Sequence, residues 1–169
     1  MGAWFRWIRE LFMAEVSGTL GKRVNRAAAL IPQTATEAIF NIVGGNVLIT
    51  SLIGEVTVLI GNVVNTLQLQ VNPTAGAAVV LDDGTYNPQA IAVGIMVTPT
   101  GNPADILQAG LSLPGGLAGG LLLSGINTHG WIAPPGTIEL TTTANSITGQ
   151  MKWQCHYVPL DAGAVVQAA

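Results

Sequence analysis

Between Ala27 and Met151 the chain has no lysine and no arginine. Only 9% of its residues are charged, against roughly 25% in an average soluble domain. A surface so poor in charge is left to Thr, Asn, Gln, Gly and small apolar side chains. That suits a subunit covered by neighbours better than a free monomer. The missing cations also exclude a broad basic face, so no direct binding of nucleic acid is expected. Cysteine is nearly absent too. Cys155 stands alone, which excludes an internal disulfide and a fold dependent on oxidation.

Catalytic and metal-binding patterns are equally scarce. His129 and His156 are the only histidines, and neither sits at ligand spacing from an acidic residue, so no metal or cofactor is expected. Cys155 and His156 are adjacent, and adjacent strand residues point to opposite faces, so they cannot pair as nucleophile and base. Gly21-Lys22 ends like a phosphate-binding loop, but Val16 and Arg23 stand where that loop needs Gly and Ser or Thr. No Gly-x-Ser-x-Gly elbow is present. Asp82-Asp83-Gly84 lacks a calcium-loop pattern and reads as a turn. These absences predict that the chain is not an enzyme.

Long clean hydrophobic runs are missing as well. Arg6 and Arg9 interrupt the start, so residues 1–26 are not expected to be a signal peptide. The stretch 106–124 is charge-free, but Pro114, Gly115 and Gly116 break it and no cation flanks it, which argues against a membrane span.

What is present is unevenly placed. Residues 1–26 carry Arg6, Arg9, Lys22, Arg23 and Arg26 against Glu10 and Glu15, whereas the remaining body is acidic. A basic head on an acidic body points to self-association, each head finding a neighbour's body. Within the head, Trp4, Trp7, Ile8, Leu11 and Phe12 follow helical spacing. The segment 3–16 is therefore expected to be an amphipathic helix, ended by Gly18 and Gly21 and followed by a basic linker, 21–26. A helix so short persists in water only when docked. The expected partner-binding set is thus Trp4, Arg6, Trp7, Ile8, Arg9, Leu11, Phe12, Lys22, Arg23 and Arg26.

From Ala27 onward the pattern changes to strands. Residues 37–43 and 46–53, joined by Gly44-Gly45, read as a β-hairpin. Further strands are expected at 56–60, 67–71, 77–81 and 91–98, with one helical turn at 103–110. Trp131 to Pro135 leads into an alternating segment, 137–143. The clearest strand is 150–159: Met151, Trp153, Cys155 and Tyr157 face one way, and Gln150, Lys152, Gln154 and His156 the other. The tail 162–169 reads as small and apolar. Some eight short strands punctuated by Gly, Pro, Asn and Asp predict an all-β antiparallel β-sandwich, jelly-roll-like, at 27–169, with an N-terminal helical arm at 1–26.

Short strings carry a resemblance: Gly21-Lys22-Arg23-Val24, Glu37 to Ile42, Val47 to Thr57, and the ending Pro134 to Leu140 with Gly149-Gln150-Met151-Lys152-Trp153 and His156 to Leu160. They resemble small virion structural proteins of tailed bacteriophages, over roughly residues 21–160. The resemblance implies a head decoration, or cement, protein on the capsid surface, a homotrimer bound to the major capsid protein. The arm is not part of it. Two other functions are open to such a chain: a tail or head-fibre module recognising a receptor or glycan through Trp131 and Tyr86, and a membrane-active protein led by the Trp/Arg helix.

Overall fold

The computed structural model describes residues 21–99, 108–111, 130–145 and 148–169. The expected helical arm and its partner-binding residues Trp4, Arg6, Trp7, Ile8, Arg9, Leu11 and Phe12 lie outside the described residues. Among those described, the chain is all-β and contains no helix.

Eleven strands follow in order: β1 (Lys22–Leu30), β2 (Thr36–Val43), β3 (Val47–Val58), β4 (Leu67–Pro73), β5 (Val79–Val80), β6 (Ile95–Thr98), β7 (Gln108–Leu111), β8 (Trp131–Ala133), β9 (Gly136–Thr142), β10 (Gln150–Pro159) and β11 (Val165–Ala168). They form two antiparallel sheets. The first runs β1-β10-β3-β6-β7, with β8 beside the start of β3, and the second runs β11-β2-β9-β4-β5. Strands β1 to β4 enter the two sheets alternately. Each then pairs with a strand from the other end of the series: β1 with β10, β2 with β9, β3 with β6 and β4 with β5.

Period-2 alternation produces this arrangement, because each strand has one apolar row to bury. On β10, Met151, Trp153, Cys155 and Tyr157 are buried as expected. They meet Val47, Ile49, Leu52 and Val56 of β3 within the same hydrophobic cluster as Phe40, Ile42, Leu69, Ile138 and Leu140 of the second sheet. Trp153 fills its place by lying over Gly54, where a Cβ would meet the indole Cη2 and Cζ3 at 2.8 Å. Both Ile39 and Phe40 are buried because the register of β2 shifts between Ala38 and Phe40.

Several local expectations are corrected. The predicted hairpin across Gly44-Gly45 does not form: β2 and β3 belong to different sheets, and the diglycine is the corner between them. Its conformation has a steric cause. Gly44 has φ +79°, and a Cβ there would run into the Gly163 carbonyl oxygen. The predicted segments 46–53 and 56–60 are largely one strand, since Gly54-Glu55 continues the ladder opposite Trp153 and Lys152. The tail is strand β11, paired with β2. Residues 108–111 are a strand and not part of a helical turn. The basic linker 21–26 is mostly strand as well: β1 runs from Lys22 to Leu30 and crosses the boundary expected between Arg26 and Ala27.

Candidate functional site

All the described cations stand on two adjacent strands, Lys22, Arg23 and Arg26 on β1 and Lys152 on β10. Strand β1 is an edge of its sheet. Its register places Arg23 opposite His156 and Asn25 opposite Gln154, on the outer face, because Cys155 and Trp153 point inward. Arg26, opposite Trp153, turns the other way and donates from Nε to the Ala169 carbonyl oxygen at 3.4 Å, bridging the edges of the two sheets. The register of β1 shifts between Arg26 and Ala29, which leaves Ala27 and Ala28 as a bulge. Bulges of this kind are a common way to interrupt an edge strand.

An open groove of about 630 Å³ lies on this face, with Arg23, Ala28, Ile53, Glu55, Met96 and Lys152 among its walls. Lys152 and Glu55 pair across it at 2.9 Å. Arg23 and Lys22 are exposed, without an ion pair to any described residue. The groove therefore combines apolar lining from Ile53, Met96 and Ala28, one satisfied ion pair and the unpaired charge of Arg23. Such a surface can hold an apolar segment with a carboxylate beside it.

The outer face of the second sheet is built differently. Glu139 stands on β9 between the buried Ile138 and Leu140, so its carboxylate points outward. Gln70 Nε2 donates to it at 2.6 Å, Asn72 Nδ2 at 3.0 Å and Thr137 Oγ1 at 2.6 Å. Partial burial works to raise its pKa, but these three bonds outweigh burial and hold it below the usual carboxylate range. Thr36 and Thr141 bond beside it at 2.8 Å. The alternation of Thr137, Glu139 and Thr141 foretells an outward polar row. The partners Gln70 and Asn72 are visible only once β4 lies against β9 in this register.

The remaining candidates fall as follows. Lys22, Arg23 and Arg26 come together on one strand. Cys155 is buried and its thiol is pushed up to about 12, while His156 lies on the opposite face, 2.7 Å from Gln154 Nε2. His129 lies outside the described residues. No group of three His, Cys, Asp or Glu side chains that could hold a metal occurs among the described residues. Asp82 is buried; its Oδ2 accepts the Leu69 N–H and its Oδ1 the Gly84 N–H, both at 2.7 Å. Burial raises its pKa although the two bonds oppose the rise. It is a lock between β4 and the following turn. Tyr86, expected as an exposed recognition aromatic, is instead buried, with its hydroxyl pushed up to about 12 by desolvation. Trp131 is half-buried and packed against the core. No helix among the described residues is long and apolar enough to cross a membrane.

In comparisons with protein-family models, curated proteins and solved structures, nothing matches this chain.

Proposed function

We propose that this chain is a structural virion subunit: a capsid decoration, or cement, protein that binds across joints between major capsid proteins and acts through binding energy alone. The observation that carries the reading is the strand pairing. A series in which β1 meets β10, β2 meets β9, β3 meets β6 and β4 meets β5 follows the pairing order of an eight-stranded jelly-roll sandwich, with β7, β8 and β11 added, and supports that reading. Two-sheet jelly rolls serve viral capsid proteins and lectins. Between those uses, the scarcity of charge favours a covered subunit. The burial of Tyr86 removes one of the two aromatics on which glycan or receptor recognition rested. The virion resemblance of residues 21–160 agrees with the shell.

In this reading the apolar stripe of the N-terminal segment anchors the subunit, and Arg6, Arg9, Lys22 and Arg23 set its register. Exposed ion pairs contribute only ~0–1 kcal/mol each, so the aromatic side chains dominate attachment. The test is to add purified protein to shells stripped of it and measure occupancy by gel densitometry. Trp4→Ala with Trp7→Ala is expected to abolish attachment while thermal unfolding of the body is unchanged. Arg6→Gln with Arg9→Gln weakens attachment mildly and lowers its salt sensitivity. A Trp double variant that fills its sites as the parent does would remove the anchor from this account.

A further inference from the structure

The cationic face and the face of Glu139 lie on opposite sides of one core. Arg23 projects from the outer face of the first sheet, in register with His156, and Glu139 from the outer face of the second. Neither is used up inside the chain. Arg23 has no ion pair to any described residue, and the donors around Glu139 are neutral amides and a hydroxyl, so its charge is not cancelled.

Apolar surface accompanies each charge. Beside Arg23 lies the groove lined in part by Ile53, Met96 and Ala28. Beside Glu139 the ladder continues through Gln70 to Val80 of β5, the edge strand of its sheet, where Val79 and Val80 are 57% and 39% exposed. Both surfaces repeat one spacing. Two strand steps separate β1 from β3 and β9 from β5, about 10 Å in each case. A valine edge seated in the groove thus brings Glu139 within reach of Arg23.

We infer that copies of this chain associate head to tail, the β5 edge of one subunit seated in the β1–β10–β3 groove of the next, with Glu139 of one facing Arg23 of the other. The inference rests on the reading of the chain as an assembling subunit. A symmetric contact through either surface would set Arg23 against Arg23 or Glu139 against Glu139, which like-charge repulsion disfavours. A contact between two different surfaces repeats around a ring when the rotation closes, and a trimer is such a ring.

The test uses the full chain alone, without shells, in sedimentation at tens of micromolar and moderate salt. The parent is expected to be an oligomer. Arg23→Glu and Glu139→Lys should each raise the dissociation constant by ~10-fold or more, and their equimolar mixture should recover assembly, because the reversed pair is again complementary. Val80→Lys, at an exposed position, should also weaken association and covers the case in which Glu139→Lys disturbs folding. A monomeric parent, unchanged single variants, or a mixture no better than its components would each overturn the inference. If the parent assembles as described but never attaches to shells, the head-to-tail contact stands and the functional reading fails.

Discussion

At the scale of single residues, inward space is set by glycine and aromatic pairs. Gly54 sits opposite Trp153, and a Cβ there would also meet Met151 Cε at 2.8 Å. Gly54→Ala is expected to displace the indole and cost ~1–3 kcal/mol, read as a lower denaturant midpoint with an unchanged slope. The titrating groups make a second prediction. Burial pushes Cys155 and Tyr86 up to about 12, so the folded chain keeps both protons where the unfolded chain has released them. Unfolded Cys and Tyr titrate near ~8.5 and ~10. Below those values both states bind the protons and the full stability is present. As pH rises beyond them toward 12 the unfolded state is increasingly favoured. Denaturant midpoints should therefore fall steadily through the alkaline range, and Cys155→Ala should make the fall shallower. Cys155 should also resist thiol reagents at pH 8 until the chain is unfolded.

At the scale of elements, strand β10 shows which row holds it. Its inner row includes Trp153, 1% exposed. Its outer row includes the Lys152–Glu55 pair, whose side chains are 50% and 30% exposed. Trp153→Ala should cost ~3–5 kcal/mol through lost transfer energy and a cavity, whereas Lys152→Ala should stay within ~1 kcal/mol. Equilibrium denaturation of the two variants decides the comparison; equal effects would mean that the outer ion pair matters far more than its exposure allows. The same period-2 logic makes this strand legible from the sequence: four inward side chains, Met151, Trp153, Cys155 and Tyr157, alternate with four polar ones over 150–157. Strand β1 was not legible. Its polar and small residues, Lys22 to Ala29, have no inner row of large side chains to announce them, because an edge strand with a bulge buries little. It forms because β10 offers an unpaired row of backbone groups.

At the scale of the whole molecule, the chain closes its first sheet with its most distant segments. Lys22 lies opposite Tyr157 and Leu30 opposite Gln150. Loop-closure entropy must be met before such pairings return anything, so folding is expected on the slow side, milliseconds to seconds. Stopped-flow fluorescence of the tryptophans measures this, and a microsecond phase carrying the full amplitude would contradict it. The same topology sorts charge. Cations far apart in sequence, Arg23 and Lys152, come to one face because β1 and β10 are neighbours, and Glu139 comes to the opposite one.

Residue order alone determined the class of this chain. Alternating apolar side chains and turn residues at short intervals specify antiparallel strands with one buried row. The Asp82-Asp83-Gly84 turn and the separation of Cys155 from His156 also follow from residue type and pleat, which are local. Pairing was decided only in three dimensions. A diglycine between two strands reads as a hairpin under local rules, yet Gly44-Gly45 became a corner, because β2 and β3 each bury an apolar row from opposite sides of one core. The amide donors Gln70 and Asn72 around Glu139, the bridge from Arg26 to Ala169 and the groove beside Arg23 all depend on registers between segments distant in the chain. Such registers are chosen by the shared core, a property of all strands together that no single segment carries.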